Sequence, residues 1–145
     1  MAQQFHGVIP PAVTPLTADQ ELDLPSFTRS INRMIDAGVN GIFTLGSSGE
    51  VAFSTDARRE EFIRAAIDIV DGRVPVFVGC IDTETNRVIE HARQARELGA
   101  SAIVATAPFY ALGGMAEVER HFRLIHEAVP DLPLFAYDIP VCVHT

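Results

Sequence analysis

Short, almost wholly apolar runs recur roughly every 30 residues along this chain, and an amphipathic helical pattern fills each gap. The runs fall at residues 7–16, 39–45, 74–79, 102–106 and 134–137. Strands this apolar call for burial on both faces, hence a parallel sheet covered by helices. Prolines at 10, 11 and 15 lack an N–H, so the first strand proper is short. The helical stretches carry their own punctuation. Asp23 caps the first with Pro25 in its first turn; Phe27, Ile31, Met34 and Ile35 follow at helical spacing, and Gly38 ends it. The second starts at residues 54–56, buries Phe62, Ala65, Ala66 and Ile69, and closes at Asp71, Gly72 and Arg73. Thr83 is read as the cap of the third, which buries Val88, Ala92, Ala95 and Leu98 before Gly99. The fourth turns Val118, Phe122, Ile125 and Val129 inward. A loose internal echo links residues 38–45 with 99–106 and residues 73–77 with 131–135.

Two parallel architectures fit this pattern, and the polar residues decide between them. Thr14, Ser47, Ser48, Glu50, Tyr110, Tyr137 and Asp138 gather where strands end. In a (β/α)8 TIM barrel all those ends open onto one face, where chemistry is done. A doubly wound fold would place a glycine fingerprint straight after the first strand, and here Thr14, Pro15 and Leu16 follow it. A full barrel takes eight units and ~250 residues. The expectation is therefore one incomplete domain over residues 1–145: the first four βα units of a TIM barrel and its fifth strand.

The net charge of −8 disfavours nucleic acid and anionic membranes as partners. No apolar run approaches the ~20 residues of a membrane span. Residues 1–6 lack a signal-peptide pattern, and Cys80 and Cys142 make no disulfide framework, so a cytoplasmic protein is expected. His91, His121 and His126 lie on helices without metal-ligand spacing, and each reads as solvated or packed; no metal is expected. The arginines and glutamates of the helices read as solvated faces. Every Lys or Arg position is Arg, and no Lys occurs anywhere in the chain.

Gly46-Ser47-Ser48-Gly49-Glu50 follows the second apolar run. Its glycines permit a sharp turn, and its hydroxyls and N–H groups suit a carboxylate or phosphate. On these residues alone, an anion loop and a bare strand-to-helix turn both stand. Tyr137 alone would as readily cap the core with its hydroxyl in water. Tyr110 fits a loop anchor, Glu50 a structural partner for loop N–H groups, and Cys80 a small buried filler.

As a set, four motifs resemble the dihydrodipicolinate synthase / N-acetylneuraminate lyase superfamily. They are Gly46-Ser47-Ser48-Gly49-Glu50, Tyr137-Asp138-Ile139-Pro140, Pro108-Phe109-Tyr110 and Ala12-Val13-Thr14-Pro15-Leu16, in the family's order. The resemblance implies a (β/α)8 barrel and a lyase in which a lysine amine forms a Schiff base with pyruvate or a related 2-oxo acid, without a cofactor. It implies that Ser47 and Ser48, with Gly46 and Thr14, bind the 2-oxo acid. Tyr137 would then move protons at the reacting centre, relayed by Ser47 and Tyr110. Tyr110 would reach into a neighbouring subunit, which implies a homo-oligomer, a dimer or homotetramer.

The family's lysine lies on the sixth strand, beyond this sequence, and Arg cannot replace it as a nucleophile. These residues alone are expected to be inactive; the Met1 amine is a chemical possibility that nothing places in the site. Cys142 stands where true dihydrodipicolinate synthases carry an arginine for a substrate carboxylate, and a thiol cannot make that bidentate pair. The expectation shifts toward a sugar-acid or other 2-oxo acid aldolase. Asp138 replaces the usual Asn, without a clear meaning. The alternative reading is a non-catalytic half-barrel that serves as an assembly module.

Overall fold

The computed structural model describes residues 4–144, so Met1 lies outside the described residues. The first helix, α1, spans Leu24–Asp36, and β1 spans Ile42–Thr44. A single 3-10 turn at Val51–Phe53 leads into α2, Asp56–Val70, and β2, Val76–Gly79. Then come α3, Thr85–Leu98; β3, Ala102–Ala105; α4, Met115–Ala128; β4, Leu134–Ala136; and a one-turn α5, Pro140–Val143.

The four strands pair in parallel in their chain order, β1-β2-β3-β4. That order never reverses. With right-handed crossovers, each helix then lands on the same side of the sheet, which curls one way as a barrel does. The first apolar run forms less strand than residues 7–16 suggest. It touches β1 through a bridge from Pro11 to Phe43, with Ala12 N–H donating to Phe43 O at 2.7 Å and Phe43 N–H to Pro10 O at 3.0 Å. Pro10 and Pro11 have no N–H to extend the ladder.

Strand alternation sends one set of side chains to the helices and the other to the inner side. Ile42, Val76, Val78, Ile103 and Ala105 meet Phe27, Ile31, Phe62, Ala66, Val88 and Ile125 in the main core. Each large apolar side chain sealed there contributes about 1.5–3 kcal/mol. Phe77, Ala102 and Val104 form a smaller cluster on the inner side with Phe5, Ile9, Phe43 and Tyr137. The Phe5 ring lies edge-on to Phe77 and Phe135, with centroids at 4.8 and 5.7 Å.

Most helix boundaries follow the capping chemistry. Asp23 accepts from Ser26 N–H at 3.0 Å, and Thr55 accepts from Arg58 N–H at 3.4 Å. The internal echo is structural. Gly38 and Gly99 both take left-handed φ, +86° and +97°, and the carbonyls of Pro75 and Pro133 each accept from the strand beside them, from Ile42 and Ile103. Thr83 does not cap α3. Its N–H donates to Asp82 Oδ1 at 2.7 Å, and Glu84 caps instead, accepting from Asn86 and Arg87 N–H. On α4 the deepest side chains are His121 and Ile125; Val118 and Phe122 are half-buried.

Candidate active site

The loop after β1 is held open by geometry on three sides. Leu45 takes φ +55°, an uncommon conformation for a branched side chain, and its carbonyl turns onto β2. A Cβ on Gly79 would sit 1.8 Å from the Leu45 oxygen, so only glycine allows this approach. Gly49 N–H donates to Gly46 O at 3.0 Å and Glu50 N–H to Ser47 O at 3.1 Å, closing two successive turns. Thr14 Oγ1 donates to Gly49 O at 3.0 Å and ties the turn to the N-terminal segment.

Those bonds leave Ser47 and Ser48 with their donors free. Neither backbone N–H nor either hydroxyl has a hydrogen-bond partner among the described residues, and both side chains are exposed. Two adjacent N–H groups and two hydroxyls form a concentration of donors suited to an anion. Ser47 and Ser48 line a groove of about 380 Å³ on the inner side of the sheet, with Phe43, Phe77, Phe135 and Tyr137 among the other walls. Tyr137 arrives there because its N–H continues the β3–β4 ladder, donating to Ala105 O at 2.8 Å. Its ring stands edge-on to Phe43, with centroids 6.3 Å apart.

The structure thus brings Ser47, Ser48 and Tyr137 to one groove and leaves the other expected site residues apart from it. Thr14 is buried and spends its hydroxyl proton on Gly49, so it braces the loop and lines no part of this groove. Gly46 is also buried, and a Cβ there would meet the Phe43 ring at 2.7 Å. Tyr110 is 96% exposed with φ +75°, and among the described residues no hydrogen bond joins it or Ser47 to Tyr137. Glu50 is exposed; no loop N–H bonds its carboxylate, contrary to the structural role expected of it. Cys80 is fully buried, and burial pushes its thiol up to about 12, which suits an inert filler.

Sequence reasoning missed the charged cluster behind the loop. Arg59 is 5% exposed, not a solvated helix residue. It donates to Ile81 O at 2.9 Å and Ser54 O at 3.3 Å, and its guanidinium lies 3.4 Å from Asp82. It therefore joins the segments that follow β1 and β2. Arg87 at 3.1 Å and His91 at 3.2 Å complete the ring around Asp82 Oδ2. Burial pushes the Asp82 carboxyl up, but bonds from Arg87, the Thr83 N–H and His91, with the Arg59 charge, hold it well below the usual range. Burial and the nearby Arg59 hold His91 below the ordinary histidine value despite its bond to Asp82.

His121 makes a second buried link. Its Nε2 lies 3.1 Å from Thr106 O and its Nδ1 3.0 Å from Thr85 Oγ1. A carbonyl only accepts, so Nε2 carries the proton and neutral Nδ1 accepts from Thr85. Burial lowers the pKa of His121 as well.

Comparison with known proteins identifies the family. The Dihydrodipicolinate synthetase family model matches residues 4–144. The chain belongs to that family. An uncharacterized DapA-like lyase of Halobacterium salinarum is 40% identical over 137 residues, 94% of this chain and 44% of that protein. YagE of Escherichia coli, whose name proposes a 2-dehydro-3-deoxy-D-gluconate aldolase, is 40% identical over 136 residues, 94% of this chain and 45% of YagE. The 4-hydroxy-tetrahydrodipicolinate synthase of Salinibacter ruber is 34% identical, with 94% of this chain and 45% of the relative covered. The crystal structure of YagE in complex with pyruvate superposes with a TM-score of 0.94 at 38% identity, covering 98% of this chain and 47% of YagE. This member of the dihydrodipicolinate synthetase family spans about half the length of the curated relatives it matches, and its sheet is a partial TIM barrel.

Proposed function

We propose that this chain supplies the 2-oxo acid side of a Schiff-base lyase site, with pyruvate or a close relative as the ligand. One observation carries the reading: four unpaired donors of Ser47 and Ser48 share a groove with Tyr137. The donors suit the carboxylate of a 2-oxo acid, and the phenol can exchange a proton with the reacting carbons beside it. A lysine outside these residues forms the Schiff base, since the chain contains none. Among the family's reactions, an aldolase for a sugar acid or another 2-oxo acid is favoured over dihydrodipicolinate synthesis, because Cys142 offers no cation to a second carboxylate.

Tyr110 extends into solvent beside the exposed Leu112 and Met115. That apolar projection supports a homo-oligomer, a dimer or tetramer, in which Tyr110 meets a neighbour's site and joins its relay. Borohydride reduction with pyruvate tests the mechanism. A longer form of the protein that includes the sixth strand gains the mass of a reduced pyruvate adduct on a lysine, and this chain gains nothing. A longer form without an adduct overturns the Schiff-base reading.

The second reading, a non-catalytic assembly module, is favoured by one feature, the open inner face with Phe135 39% exposed. Its mark is a stable oligomer that binds no 2-oxo acid.

A further inference from the structure

Ser47 also lines a second cavity, of about 250 Å³. The segments that follow all four strands build it: Val51 after β1, Ile81 after β2, Phe109 after β3, and Ile139 and Val143 after β4. Among the described residues, its one carboxylate is Glu50, and no Arg or His lines it. Thr106, 3% exposed, also lines it, and the Thr106 Oγ1 has no hydrogen-bond partner among the described residues. An orphaned buried hydroxyl costs free energy that a ligand oxygen can offset. Cys142 completes the wall with an exposed thiol.

We propose that this cavity holds the uncharged, apolar chain of the second reactant, a short aliphatic or aromatic aldehyde, while the 2-oxo acid occupies the groove at Ser47 and Ser48. The proposal rests on the 2-oxo acid reading above. Three features of the wall select the class. A carboxylate-bearing aldehyde would be desolvated beside Glu50 with no cation among the described residues to pair it. A polyhydroxylated chain would bring several hydroxyls to walls made mostly of Val, Ile and Phe, where most of them would go unpaired. The volume falls just below the ~300–1,000 Å³ of drug-sized sites, which suits a short chain. Of the two aldolase branches left open above, the cavity therefore selects the non-sugar one.

Thiol protection tests this directly, because Cys142 is exposed and Cys80 is buried. The purified chain is treated with N-ethylmaleimide, and the rate at Cys142 is followed by mass spectrometry with 1-pentanol, pentanoate or pyruvate present. Pentanol replaces the aldehyde because aldehydes themselves add to thiols. At about four times its Kd, pentanol should slow the reaction about fivefold, the factor 1 + [L]/Kd, while pentanoate leaves the rate unchanged. Glu50→Gln should let pentanoate protect as well. Pentanoate protecting the unmodified chain as strongly as pentanol, or neither protecting it, overturns the proposal. Pyruvate binding is read separately by saturation-transfer NMR. Pyruvate binding without pentanol protection removes the cavity's role and leaves the 2-oxo acid reading intact. Pentanol protection without pyruvate binding breaks the 2-oxo acid reading, and the second-reactant assignment falls with it.

Discussion

On the helix-covered side of the sheet, Ile42, Val78 and Ile103 are sealed from solvent, and even a charged group as deep as Arg59 is matched by Asp82 and two carbonyls. On the inner side, among the described residues, the Ser47 and Ser48 donors have no partner and Tyr137 makes no side-chain hydrogen bond, while Phe135 keeps 39% of its surface. The two sides share strands and backbone, so local propensity does not explain the contrast. Among the described residues, one side pairs its charged groups within the chain and leaves only the Thr44 hydroxyl without a partner. The other leaves its donors without a partner among the described residues. Stability should therefore depend on the first side and ligand binding on the second.

The strongest way to break that contrast is to make the same truncation on both sides. Phe62→Ala, at 2% exposure in the main core, should cost about 4 kcal/mol in urea unfolding. A loss below about 1 kcal/mol would mean that the helix side does not carry the fold. Arg59→Ala comes next, at about 3 kcal/mol, the lower end for a broken buried pair because Asp82 keeps Arg87 and His91. It should also loosen residues 50–54 and 81–84 in hydrogen exchange, since Arg59 holds carbonyls in both segments.

Acid should act on the same side in two stages. His91 and His121 are held below the ordinary histidine value of 6.5, so the folded chain binds fewer protons there than the unfolded one. Their contribution is complete above 6.5 and is lost as pH falls below it. Asp82 is depressed from 3.8, so its contribution persists above that value and is lost as pH falls through and below it. Urea midpoints measured from pH 8 to 3 should fall twice, and His121→Gln should shrink the first step alone.

The smaller effects belong to the inner side. Phe135→Ala should cost only about 1 kcal/mol, because much of its ring is already in water. Ser48→Ala should leave stability within about 0.5 kcal/mol, as an exposed serine without partners does. It should nevertheless weaken pyruvate binding by about 1 kcal/mol, roughly fivefold by calorimetry. The reverse result, a destabilised fold with unchanged binding, would erase the distinction between the sides.

The inner side was the more legible in sequence. Ser47, Ser48 and Tyr137 stand in short motifs at strand ends, where backbone geometry alone brings them together. Apolar periodicity likewise located α1 to α4 and the four paired strands. What stayed hidden depends on partners distant in sequence. Helical spacing sets Arg59, unlike the exposed Arg64, on the face of Phe62, Ile63 and Ala66, but an arginine there still reads as a solvated edge until the approach of residues 81 and 82 makes it a buried link. His121 outranks Phe122 in depth because Thr85 and Thr106 wait on either side of its ring. Thr83 loses the α3 cap to Glu84, whose carboxylate reaches the Asn86 and Arg87 N–H groups while the Thr83 hydroxyl turns to Asp82 Oδ1. Thr14 was the hardest to read: the spacing shows a hydroxyl near the loop but not that Gly49 already holds it.

The placement of the two tyrosines has an optical consequence. The chain has no Trp, so its ultraviolet emission comes from Tyr110, which is 96% exposed, and Tyr137, whose ring rests against Phe43 in the groove. Tyr110→Phe silences the solvent signal and leaves a single emitter at the point where a ligand would arrive. Occupancy of the groove then becomes a change in brightness or lifetime, readable without any attached dye.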